Sequence, residues 1–152
     1  MAAPAPASRS QRWSLVGKTA IVTDGTKCIG VGTLHPHKQF IKQVVRMRAI
    51  VEELARFGVR MHTCSRNDAD LYAADGDGEI TGSVCDVSAR GDREALVAAA
   101  RKVIDGRLDI LVNNVGQMLF ATAANTSPTD YARIMATNLE SSFHLSQLLA
   151  PK

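Results

Sequence analysis

The sequence predicts an α/β fold, a doubly wound parallel sheet with helices on both faces, and three observations carry that prediction. Four short apolar runs, at 18–23, 59–64, 80–84 and 108–112, alternate with stretches whose apolar residues recur at helical spacing. The first run ends in a Gly-containing turn, Thr23 to Gly30. Polar or small residues close all four runs: Asp24 and Gly25, Ser65 and Arg66, Asp86, then Asn113 and Asn114. In such a sheet a ligand sits beyond the carboxyl ends of the strands, where those groups fall together.

The elements follow in order. Residues 18–23 are β-branched and bounded by Gly17 and the Asp24-Gly25 turn, so they read as a buried first strand. Gly32 and Pro36 exclude a helix through 31–37. From about Pro36 apolar residues recur at Ile41, Val44, Val45, Ile50, Val51, Leu54 and Ala55, a helix that Gly58 closes. Residues 59–64 form the second strand and Asp68 to Ala74 one or two helical turns; 80–84 is the third strand. A helix follows with Ser88 or Asp92 near its cap and Leu96, Val97, Ala100, Val103 and Ile104 on one face. The apolar run 108–112 is the fourth strand, and a last helix runs from Pro128, favoured in a first turn after Ser127, to about Leu149.

Composition bounds the function classes. At 152 residues, 45% hydrophobic and 22% charged, the chain suits one globular domain. No run of about 18 apolar residues is present to span a membrane. Residues 1–12 are Ala- and Pro-rich without the apolar core of a signal peptide, so they are expected to be a disordered tail on a cytoplasmic protein. Cys28, Cys64 and Cys85 are an odd number at wide spacing, with no His at ligand spacing, so buried thiols are expected and neither disulfides nor a metal site. Residues 31–48 hold Lys38, Lys42, Arg46 and Arg48 and no acid, and removing those four from the formal +3 leaves −1. The basicity belongs to one segment, which argues against nucleic acid as a partner.

The strand ends have chemical uses. The turn after the first strand can offer backbone N–H groups to a pyrophosphate, although it is neither a strict G-x-G-x-x-G nor a Walker loop. Ser65 and Arg66 end the second strand where an adenosine ribose would lie; a carboxylate there would hold a 2′-hydroxyl, whereas Arg suits a 2′-phosphate. The alternative for Arg66 is a solvated loop charge. Lys27 adds a second positive charge nearby. Asp86 can accept from an adenine amine or cap the helix that follows it.

These residues resemble a known family. Thr23 followed by Ile29-Gly30, then Asn113-Asn114-x-Gly116 and Thr137-Asn138, is similar to the short-chain dehydrogenase/reductase family. Arg12-Trp13-Ser14-Leu15, Thr63-Cys64-Ser65-Arg66-Asn67, Gly82-Ser83-Val84-Cys85-Asp86 and Phe143-His144-Leu145-Ser146-Gln147 resemble its plant tropinone-reductase-like members. The resemblance covers about residues 12–150. It implies the N-terminal part of a Rossmann-type domain using NADP(H) to reduce a small ketone or oxidise the matching alcohol. It also implies that Thr23, Gly25, Lys27, Ile29 and Gly30 line the pyrophosphate and adenosine, that Ser65 lies with Arg66 among the cofactor-binding residues and Arg66 sets the NADP preference, and that Asp86 and Val87 flank adenine. Asn113 and Gly116 would lie against the cofactor, and Asn138 would match the family's catalytic Asn, which holds a water in the proton relay. The helix matching 128–150 commonly forms the family's subunit interface.

The chain departs from that pattern in four places. Asp24 and Cys28 stand where the family has glycines; a carboxylate about 5 Å from a pyrophosphate charge, at an effective dielectric near 20, costs roughly 3 kcal/mol or about two decades of affinity. Residues 31–48 read as an insertion, which moves the helix N-terminus on the order of 20 Å from the phosphate position. The segment Asp68 to Glu79 is shorter than the family's, which leaves one sheet face poorly covered. The family's Ser and Tyr-x-x-x-Lys are absent, since Tyr72 is followed four later by Gly76 and Tyr131 by Met135. Without an acid near neutral pKa, hydride transfer to a ketone leaves an unstabilised alkoxide, so no turnover and weakened cofactor binding are expected. The fourth strand would keep an open edge. The alternative function is a non-catalytic fragment that pairs with intact family members through 128–150.

Overall fold

The computed structural model describes residues 14–23, 49–67, 71 and 80–151. Four strands make one parallel sheet: β1 (Thr19–Thr23), β2 (Arg60–Ser65), β3 (Ile80–Val84) and β4 (Ile110–Val112), in the order β3-β2-β1-β4. Thr23 lies level with Cys64, and Val22 with Val112, so the carboxyl ends of the strands meet at one edge of the sheet. The helices are α1 (49–56), α2 (Arg90–Val103), α3 (Pro128–Met135) and α4 (Ser141–Leu149), with a π-helical turn, Ala136–Glu140, joining the last two. Among the described residues no helix is long and apolar enough to cross a membrane.

Alternation along β1 divides the core between the two faces. Ala20 and Val22 pack with Met61, Val59 and the α1 residues Val51 and Ala55. Ile21 points to the other face, against Ala100 and Ile104 of the α2 end. Cys64, Cys85, Leu96, Val97 and Leu145 continue that second layer, so α2 and α4 cover one face and α1 the other. Full burial of a side chain such as Ile21 contributes about 1.5–3 kcal/mol. Cys64 and Cys85 are both buried, as expected; the hydrogen bond with the neighbouring Cys64 thiol and then burial push the Cys85 thiol far up.

Helix α1 stops in a Schellman motif. Val59 N–H donates to Leu54 O at 3.1 Å and Gly58 N–H to Ala55 O at 2.8 Å, with Gly58 at φ +79°. At the amino edge of the sheet, Asp109 accepts from Lys18 Nζ at 3.0 Å, from Thr19 N–H at 3.1 Å and from Arg107 at 2.7 Å. Those bonds hold the Asp109 carboxyl down at about 2, Lys18 contributing most.

Several boundaries differ from expectation. The fourth strand begins at Ile110, because Leu108 and Asp109 lie in the turn that fastens to Thr19 and Lys18. The second strand is shifted by one, so Ser65 belongs to it and is buried. Ser88 and Asp92 do lie near the cap of α2, as expected, but the cap position itself is Ala89, with no side-chain bond, and Asp92 reaches back to the Asp86 N–H at 2.9 Å. The last helix is not continuous but widened at Ala136–Glu140. The helix start near Pro36, the insertion 31–48 and the tail 1–12 lie outside the described residues, as does 68–79 apart from Leu71, whose side chain covers Gly82.

Candidate functional site

The carboxyl edge is built around Thr23. Its hydroxyl accepts from the Asn114 N–H at 3.0 Å and the Val115 N–H at 3.3 Å, and lies 3.4 Å from the Val112 carbonyl. Asn114 Nδ2 donates to the Thr23 carbonyl at 3.2 Å. A buried hydroxyl at the end of β1 thus fixes the loop that leaves β4, which a Val of the same shape would not do.

The loop is fixed again further on. Asn138 Oδ1 accepts from the Gln117 N–H at 2.7 Å, and Asn138 Nδ2 donates to the Gln117 carbonyl at 2.8 Å. Arg133 Nη1 donates to Gln117 Oε1 at 2.7 Å. Gly116 faces the same amide: a Cβ there would lie 3.9 Å from Asn138 Oδ1. Asn138 sits in the middle of the π-helical turn, a widening that recurs at functional positions in helices. Ser141 Oγ donates to the Thr137 carbonyl at 2.5 Å, whereas the buried Thr137 Oγ1 has no hydrogen-bond partner among the described residues.

On the other side of the edge, Ser65 is buried and its hydroxyl lies 3.4 Å from the Asn67 N–H. Arg66 is exposed at the end of β2, and no described acidic side chain pairs with it. The Asp86 carboxylate accepts from Ser88 N–H at 2.9 Å and Ser88 Oγ at 2.7 Å, so it orders the turn into α2, while Val87 is buried. Asn113 is exposed, with Nδ2 3.5 Å from Ser146 Oγ. Gly25, Lys27, Ile29 and Gly30, with Asp24 and Cys28, lie outside the described residues.

The edge therefore brings Thr23, Asn113, Gly116 and Asn138 together and puts Ser65, Arg66, Asp86 and Val87 at the ends of β2 and β3. An exposed guanidinium can pair with an anionic group, and an acidic turn can accept from an amine donor. Sequence reasoning missed Gln117, the partner of Asn138, and missed a buried cluster beside it. Arg93 of α2, 0% exposed, donates to Glu140, His144 and the Val87 carbonyl. The i, i+4 spacing of Glu140 and His144 was the available signal for a shared face.

Outside the edge, α3, the π-helical turn and the first turn of α4 carry an apolar groove of about 590 Å³ lined by Ala132, Met135, Ala136, Leu139, Glu140 and Phe143. Tyr131, Leu139 and Phe143 are all more than half exposed.

Comparison with known proteins places this geometry. A family model for short chain dehydrogenase matches residues 48–152. A tropinone reductase homolog of Arabidopsis thaliana is 46% identical over 146 residues, covering 93% of this chain and 49% of the relative. The chain spans about half the length of the curated relatives it matches. Among solved structures, L-sorbose reductase of Gluconobacter frateurii, complexed with NADPH and L-sorbose, superposes with a TM-score of 0.73 at 21% identity, over 90% of this chain and 48% of its own. RhlG of Pseudomonas aeruginosa, in an active-site complex with NADP, gives 0.67 at 26% identity over 90% and 48%. With a parallel sheet of this order and a family match over more than half its residues, the chain belongs to the short-chain dehydrogenase/reductase family and is tropinone-reductase-like in sequence.

Proposed function

We propose that these 152 residues are the nucleotide-binding part of an NADP(H)-dependent oxidoreductase that interconverts a small ketone and its alcohol, and that alone they bind the nucleotide weakly without turnover. The observation that carries the reading is the double fixing of the loop after β4, by Thr23 at Asn114 and by Asn138 at Gln117. That fixing costs two polar side chains their freedom and holds Gly116, which has no side chain to intrude, beside the strand ends, where a dinucleotide lies in this fold. The NADP and NADPH complexes of the two superposed proteins support the choice of cofactor.

Each residue then has a task. Gly25, Lys27, Ile29 and Gly30 line the pyrophosphate and adenosine, and Thr23, its hydroxyl taken up by the Asn114 and Val115 N–H groups, borders them at the strand end. Ser65 and Arg66 take the 2′-phosphate, Asp86 and Val87 bound the adenine, and Asn113 and Gly116 form the floor. The bound nicotinamide supplies or accepts hydride. Asn138 holds its helix open at the π turn, where a proton-relay water would be placed. No Tyr-x-x-x-Lys is present among the 152 residues to protonate an alkoxide, so these residues bind and orient without completing the reaction. Asp24 and Cys28 at the turn weaken the binding.

The test is the site of binding. In an amide NMR titration with NADPH, the signals of Arg66, Val87, Asn114 and Gln117 are expected to move together. Movement confined to residues away from the strand ends would sink the reading.

The apolar groove on α3 and the π turn favours a second reading, a non-catalytic fragment that pairs with itself or with intact family members through 128–150. Co-purification with a full-length relative is the expected outcome; a monomer that captures none of it removes this reading.

A further inference from the structure

We infer that Arg93 is a positioning residue for the candidate site: it locks the turn that bounds the adenine position to the π-helical turn that aims Asn138. Its guanidinium lies entirely inside the protein and is divided between two elements. Nη1 donates to the Val87 carbonyl at 2.6 Å and the Ser88 carbonyl at 3.2 Å, on the turn after β3. Nε donates to His144 Nδ1 at 2.9 Å, and Nη2 pairs with Glu140 Oε1 at 2.5 Å. Glu140 is the last residue of the π turn, and His144 lies one helical turn beyond it on the same face.

A merely stabilising role explains this poorly. Burying a guanidinium costs desolvation that its ion pair only partly returns, and well-packed apolar groups of similar volume often serve stability as well or better. What an apolar side chain cannot do is fix register. Arg93 is planar and holds acceptors on two sides in fixed directions. It therefore sets how far the helix around Glu140 sits from Val87, and Asn138, two residues before Glu140, reaches Gln117 from both amide atoms. Val87, Arg93, Glu140, Asn138 and Gln117 form one connected path from one side of the sheet edge to the other.

The inference rests on the proposed function only in taking Asn138 as the group to be placed. Its test needs no nucleotide, so failure of NADPH binding leaves it standing and its own failure is separately visible. Hydrogen exchange at the Gln117 N–H and the side-chain amide signals of Asn138 are compared in the wild type, Glu140→Ala and Arg93→Met. Glu140 is half exposed, so its truncation opens no cavity, and the β1 amides report whether the fold survives the loss of the ion pair. Glu140→Ala is expected to speed exchange at Gln117 by about tenfold or more and to shift the Asn138 amide, with the β1 amide of Ile21 unchanged. Unchanged exchange at Gln117 overturns the inference. So does a loss of protection shared equally by Gln117 and Ile21, which is what a structural role alone would give.

Discussion

The Thr23 hydroxyl and the Asn114 backbone N–H, 3.0 Å apart, join the end of β1 to the loop that leaves β4. The same oxygen takes the Val115 N–H, so two backbone donors depend on one side chain. Thr23→Val keeps the volume and removes the acceptor. It is expected to cost about 1–3 kcal/mol in urea unfolding, whereas Thr23→Ser loses less than about 1 kcal/mol. Equal losses for the two variants would show that the methyl group and not the hydroxyl matters.

His62 gives the fold a pH dependence. Buried in β2, it has Nδ1 2.7 Å from Thr81 Oγ1 and Nε2 2.8 Å from Ser83 Oγ. Thr81 Oγ1 donates to the Met61 carbonyl at 3.3 Å, so it accepts from Nδ1–H, and Nε2 accepts from Ser83. Burial lowers the His62 pKa from its ordinary 6.5, so the folded state resists a proton that the unfolded chain takes up. Stability is full above about pH 6.5 and falls as pH drops below it. Asp109, held at about 2 chiefly by the Lys18 hydrogen bond, adds a second loss as pH falls from its ordinary 3.8 through that value. Urea midpoints are expected to decline in both windows, and His62→Gln to remove the first decline only.

Thr137 bears the opposite prediction. Its Oγ1 is buried in the π turn without a partner among the described residues. Thr137→Val removes that orphan and keeps the shape, so it is expected to raise stability by about 1 kcal/mol. A loss of that size would mean that the hydroxyl is satisfied in solution, by a water or a bound group.

The pairs Asn138–Gln117 and Arg93–Glu140 show where sequence reading stops. The parallel sheet was legible because Ala20, Ile21 and Val22 form an apolar run closed by turn residues, and α2 because Leu96, Val97 and Ala100 share a face. The convergence of Asn113, Gly116 and Asn138 followed from topology and from family resemblance. The helix boundary at Asn138 was not legible, because a π turn has no composition of its own and depends on Gln117, 21 residues away. Nothing in the sequence around Arg93 marks it as buried, because its burial depends on the approach of α4, 51 residues away. Ser65 moved into the strand by one residue, the usual uncertainty at strand ends.

Leu139 and Phe143 test the interaction surface. Both are more than half exposed beside the groove on α3 and the π turn. Leu139→Ser with Phe143→Ser is expected to abolish pairing in sizing experiments while changing stability by less than about 0.5 kcal/mol each. Pairing that survives both substitutions would put the interface elsewhere.

The measurement closest to the central claim is calorimetric titration of the whole chain with NADPH and with NADH, repeated on Arg66→Ala and Asp24→Gly. The account predicts weak binding with NADPH preferred, loss of that preference in Arg66→Ala, and affinity raised by about two decades in Asp24→Gly, the loss expected of a carboxylate beside the pyrophosphate. Equal affinity for the two nucleotides, or no binding at millimolar concentration even in Asp24→Gly, would contradict it.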